Sequence, residues 1–107
     1  MSIDAFEVSI PDLDGQRLLD VRRSAVFEQA DTVIPGAAWF DPQSVDAWAA
    51  SLPLNEAVVV YCVHGHEVSR NTASRLRAFG IDARFLSGGI EAWKSAGRPL
   101  QAKGSAA

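Results

Sequence analysis

The chain has 107 residues, of which 48% are hydrophobic, a formal net charge of −3 and a single cysteine. That length and apolar content predict one folded domain with a core of its own, not a disordered chain. One cysteine excludes an internal disulfide and a Cys-x-x-Cys redox pair. The lack of a basic block argues against nucleic acid as a partner, and no apolar run is long enough to span a bilayer.

The opening residues, MSIDAFEV, are acidic and mixed, unlike a basic-then-apolar secretory leader, so the expectation is a soluble cytoplasmic protein. No internal repeat is present. Asp14-Gly15 reads as a turn into a short strand over residues 16–22 (QRLLDVR), and residues 23–30 (RSAVFEQA) as a short helix. Residues 34–40 (IPGAAWF) read as a Pro-Gly turn into another short strand. In the next segment, DPQSVDAWAASL, Asp41 is placed as an N-cap with Pro42 at the first helical position. Val45, Trp48, Ala49 and Leu52 then share one helix face, and Pro53 ends the helix.

Residues 57–62 (AVVVYC) form a continuous apolar run of strand length, the pattern of a strand covered on both faces in a parallel sheet. From residue 67 to 79 the period changes to helical, with Val68, Thr72, Leu76 and Phe79 recurring and Gly80 as the stop. A short strand over residues 83–86 (ARFL) and a helix over residues 88–97, with Ile90 and Trp93 on one face, complete the pattern. The tail QAKGSAA is small and polar and is expected to be disordered. Strands alternating with helices predict an α/β fold around a mainly parallel sheet, whose sites lie beyond the carboxyl ends of the strands. Cys62 is at that location.

A thiol is a weak nucleophile until it ionises, and a helix N-terminus favours the thiolate through its unpaired N–H groups and dipole. The loop CVHGHEV could aim several N–H groups inward, with Gly65 permitting the turn. The competing reading is that a lone cysteine closing a buried strand is only a small core residue. Cys62, His64 and His66 could also offer ligands to a metal. Alternate residues on a short loop rarely converge without a further ligand, and the chain has no other Cys or His. His64 and His66 are either solvated loop residues or groups that transfer protons or position a substrate. Glu67 suits the first turn of a helix and opposes a second anion beside the cysteine.

With these segments in view, the chain resembles the single-domain sulfurtransferase type of the rhodanese family over residues 6–100, leaving residues 101–107 as tail. Four stretches carry the resemblance: LLDVR (18–22), IPGA (34–37), VVVYC followed by HG (58–65), and LSGGIEAW (86–93). The resemblance implies a mainly parallel five-stranded sheet flanked by helices on both faces. It also implies that Cys62 takes a sulfane sulfur from a donor such as thiosulfate, forms a persulfide, and passes the sulfur to cyanide or a thiol, including a protein thiol. Val63, His64, Gly65, His66, Glu67 and Val68 would bind the persulfide or the donor's anionic end. Asp20 and Arg22 would support the site structurally, and Gly88, Gly89 and Trp93 would serve turns and packing. No metal, organic cofactor, nucleic acid or membrane enters this scheme.

Two departures from the family pattern stand out. Val33 occupies a position where the family often has His, just before the Ile-Pro-Gly turn. The stretch from Cys62 to Gly80 is about one residue longer than in common sulfurtransferases, as in phosphatases and arsenate reductases of the same fold. Those enzymes use Cys-x-x-x-x-x-Arg, whose Arg grips an oxyanion bidentately; here Val68 stands at that position and Arg70 comes two residues later. A phosphatase or arsenate-reductase-like enzyme is therefore the second reading, and a non-catalytic rhodanese-like binding module the third.

Overall fold

A computed structural model describes residues 6–9 and 17–103 of the chain. The Asp14-Gly15 turn lies outside the described residues, as do residues 104–107 of the tail. In chain order the elements are β1 (Glu7–Val8), β2 (Arg17–Asp20), α1 (Ser24–Gln29), β3 (Thr32–Val33), β4 (Ala38–Trp39), α2 (Val45–Ala49), β5 (Val58–Tyr61), α3 (Glu67–Ala78), β6 (Ala83–Leu86), α4 (Gly89–Ser95) and β7 (Gln101–Ala102).

Five strands form one sheet in the order β1-β6-β5-β2-β4, with every pair parallel. β5 is central because all four of its residues are buried, so neither face of it has to meet water. Its side chains alternate between two cores. Val58 and Val60 join Leu19, Leu76 and Phe85 on the face covered by α2 and α3. Val59 and Tyr61 join Ile34, Leu86, Ile90 and Trp93 on the face covered by α4. Leu19↔Val60 and Val60↔Phe85 are in register across the three middle strands, which aligns their carboxyl ends where β5 hands over to Cys62.

The structure departs from the sequence reading in three elements. The helix expected from Pro42 begins as a 3₁₀ turn over Pro42–Ser44, with Asp41 Oδ1 accepting from Gln43 N at 2.9 Å, and becomes α-helical only at Val45. Its end is again tight, with Ser51 N donating to Trp48 O and Leu52 N to Ala49 O. On α3 the buried face is Ser69, Thr72, Ala73 and Leu76, while Val68 is half-buried and Phe79 exposed. The start of the tail is also ordered, contrary to expectation. β7 pairs antiparallel with β3, and Lys103 Nζ donates to the carbonyls of Phe27 and Glu28 at the end of α1. A cation on the last carbonyls of a helix satisfies acceptors that have no partner within it.

Candidate active site

Cys62 follows the last residue of β5 and is 6% exposed. Its Sγ donates to Ser69 Oγ at 3.2 Å, and Ser69 itself is fully buried. Ser69 belongs to the first turn of α3, so the sulfur lies against that helix end. The N-cap of α3 is His66, which supplies no side-chain hydrogen bond. Among the described residues, the backbone N–H groups of residues 63–69 meet no backbone acceptor. These are the donors that favour a thiolate or an anion at a helix start.

The other side of the loop is anchored. Ile90 N donates to Cys62 O and Glu91 N to Val63 O, each at 3.0 Å, so the start of α4 is capped by the carbonyls of the cysteine loop. This contact requires glycine. At Gly89 (φ +61) a Cβ would lie 2.4 Å from Cys62 O and 2.5 Å from Val63 O. Gly65 (φ +71) packs the loop onto the same turn, where a Cβ would lie 2.6 Å from both Gly88 N and Leu86 O.

Asp20 and Arg22, at the end of the neighbouring strand β2, form a buried ion pair. Asp20 is fully buried and Arg22 is 3% exposed. Arg22 Nη2 donates to Asp20 Oδ2 at 2.7 Å and to Thr32 O at 3.0 Å, and its Nε donates to both carboxylate oxygens at 3.0 Å. Trp39 Nε1 holds the Arg22 carbonyl at 2.8 Å. Tyr61 completes the cluster. Its oxygen accepts from Ile34 N at 3.2 Å, and burial, reinforced by the negative charge of Asp20, raises its phenol above the ordinary value. Cys62 opens into a cleft of about 240 Å³ walled by Arg22, Arg23 and Val26 on one side and by the cysteine loop on the other.

The profile of the Rhodanese-like domain family matches residues 7–96 of the sequence. The chain belongs to the rhodanese-like family. Solved structures share the fold. A rhodanese-related protein from Thermoplasma volcanium superposes with a TM-score of 0.78 at 21% identity, covering 89% of this chain and 96% of that one. A rhodanese-like domain protein from Staphylococcus aureus gives 0.71 at 26% identity, over 81% and 89%. A protein from Lactobacillus plantarum gives 0.77 at 23% identity, over 90% and 87%. The comparison with curated proteins gives no match.

In this rhodanese-like domain, Val63, His64, His66, Glu67 and Val68 line the cleft beside Cys62. Gly65 does not; it is buried behind the loop against the Gly88-Gly89 turn. Asp20 is also withdrawn from the cleft, and only its partner Arg22 reaches the wall. His64 and His66 are exposed, with ring centroids 6.1 Å apart. Among the described residues, no three His, Cys, Asp or Glu side chains gather to hold a metal. Ser69 escaped the sequence reading. Its signal was its place on the same helical stripe as Ala73 and Leu76, a polar residue on an apolar face. Arg23 and Val26 escaped too, because the α1 wall of the cleft is brought there only by tertiary packing.

Proposed function

We propose that this rhodanese-like domain is a sulfurtransferase that works through a persulfide on Cys62. The observation that carries the reading is the position of Sγ: at the floor of an open cleft, against Ser69 Oγ and the uncapped start of α3. In the first half-reaction the Cys62 thiolate attacks the outer sulfur of thiosulfate. The S–S bond of the donor breaks, its electron pair leaves with sulfite, and Cys62 holds the transferred sulfur as a persulfide anion. The loop N–H groups stabilise the negative charge on the transferred sulfur and the leaving group. In the second half-reaction cyanide or a thiol attacks the outer persulfide sulfur, and the Cys62 thiolate leaves.

This chemistry asks nothing of a metal or organic cofactor. Asp20 and Arg22 act by holding the cleft wall, since Nε and Nη2 of Arg22 are bound to Asp20 and Thr32. Phosphoryl or arsenate chemistry is less well served, because half-buried, apolar Val68 stands where an oxyanion-gripping Arg is needed, with Glu67 next to it. No helix among the described residues is long and apolar enough to cross a membrane; the reading includes a cytoplasmic location and small, diffusible sulfur compounds or protein thiols as partners. The test is thiocyanate formation from thiosulfate and cyanide by the wild type and by Cys62→Ser. We expect turnover that the substitution abolishes, and activity retained by Cys62→Ser would overturn the mechanism.

A further inference from the structure

Thiosulfate and thiosulfonates share their negative charge between the attacked sulfur and the oxygens on its neighbour, so a cation placed beside those oxygens would hold the donor. Two cationic side chains, Arg22 and Arg23, line the cleft. Arg22 is buried and its charge is paired with Asp20, with Nε and Nη2 bound to Asp20 and Thr32. Arg23 is exposed, and among the described residues its side chain has no ion pair or hydrogen bond. Arg23 also lines a second groove of about 610 Å³, which runs between the Pro42–Ser44 turn, α2 and α3 and shares Val68 with the cysteine cleft. The other arginine of that groove, Arg75, is bound to Asp46 through two bonds of 2.7 and 2.6 Å. Arg23 is thus an uncommitted cation at the junction of the two cavities, in a cleft that Glu67 also lines. Arg70, the nearest arginine after the loop, lies over the Phe85 ring at 5.4 Å and lines neither cavity.

We propose that Arg23, from outside the cysteine loop, selects the charge of the sulfur donor. Its guanidinium holds the oxygens next to the outer sulfur in thiosulfate, or in an organic thiosulfonate whose body extends into the larger groove, while the outer sulfur meets Cys62. With a thiosulfonate, R–SO₂–S⁻, the S–S bond breaks, the electron pair departs with the sulfinate, R–SO₂⁻, and the transferred sulfur remains on Cys62. The identity of the donor rests on the persulfide reading; the selection of anions by Arg23 does not.

The experiment separates the two. Cys62 is alkylated with iodoacetate, an anion, and with iodoacetamide, which is neutral, and the rates are read by intact mass. The proteins are the wild type, Arg23→Gln, Arg23→Lys and, as a control at the opposite end of the sheet, Arg17→Gln. The ratio of iodoacetate to iodoacetamide rates is expected to fall about two- to fivefold in Arg23→Gln, the effect of losing one charge contact at an exposed site. It should be largely restored in Arg23→Lys and unchanged in Arg17→Gln. KM for thiosulfate should rise by a similar factor in Arg23→Gln, with little change in kcat. A ratio unmoved by Arg23→Gln, or equally lowered by Arg17→Gln, would overturn the proposal. A ratio that falls in a protein taking no sulfur from thiosulfate would uphold Arg23 and sink the persulfide reading instead.

Discussion

At the scale of single residues, a thiol with 6% exposure depends on the few groups that touch it, and for Cys62 the hydroxyl of Ser69 is one of them. A hydroxyl serves either state of the sulfur, accepting from S–H and donating to S⁻. Replacing it with a methyl group removes that donor while leaving the small side chain buried. Ser69→Ala is expected to slow both alkylation of Cys62 and persulfide formation about two- to tenfold, which corresponds to one hydrogen bond of about 0.5–1.5 kcal/mol. The melting temperature should change little. An unaltered alkylation rate would mean that the bond does not act on the reactive state. Cys62 itself was legible in the sequence from its place at the end of an apolar run. Ser69 was marked only as a polar residue on the stripe of Ala73 and Leu76, and that it faces the sulfur emerges only when the helix is docked.

At the scale of elements, the cysteine loop is held by the start of α4 through two hydrogen bonds and a backbone approach too close for any Cβ. In Gly89→Ala the new methyl would meet the Cys62 and Val63 carbonyls, which are backbone atoms and cannot rotate away, and φ would stay in the left-handed region. The expected loss is on the order of 3 kcal/mol, or about 10–20 °C in melting temperature for a domain of this size. A thermal melt decides, and an unchanged midpoint would refute the packing argument. The long elements, β5, α3, β6 and α4, were readable because their apolar period extends over a full strand or several helical turns. The two-residue strands β1, β3 and β7 were not, because so short a segment has no period; Gln101–Ala102 is ordered only because Thr32–Val33 lies beside it.

At the scale of the whole molecule, the core under α4 holds Tyr61, the single tyrosine of the chain, fully buried and in register with Asp20 on the neighbouring strand. Its phenol is raised above 10.0, first by burial and then by the Asp20 charge. An acid whose pKa is higher in the folded state contributes stability that is complete below the unfolded value and is lost as pH climbs past it. Stability should therefore decline as pH rises above about 10, where the unfolded chain ionises its tyrosine and the folded chain does not. Tyr61→Phe removes that contribution and leaves the Ile34 N–H without its acceptor, at a cost of about 1 kcal/mol near neutrality. The gap in melting temperature between wild type and variant should accordingly narrow above pH 10. A constant gap from pH 8 to pH 11 would contradict the assignment. The α/β class and the parallel sheet were legible at this scale from the alternation of strands and helices. The wall that α1 contributes to the cysteine cleft was not, since it depends on Lys103, β7 and the Phe27–Trp39 stack, contacts between segments far apart in the chain.

The central claim is that Cys62 carries a sulfur atom between two partners. The most direct measurement is the intact mass of the purified protein after incubation with thiosulfate, taken beside Cys62→Ser. A Cys62 persulfide predicts the gain of one sulfur in the wild type, its absence in the variant, and its removal by cyanide. A wild-type mass unchanged by thiosulfate, or a gain shared by Cys62→Ser, would contradict it.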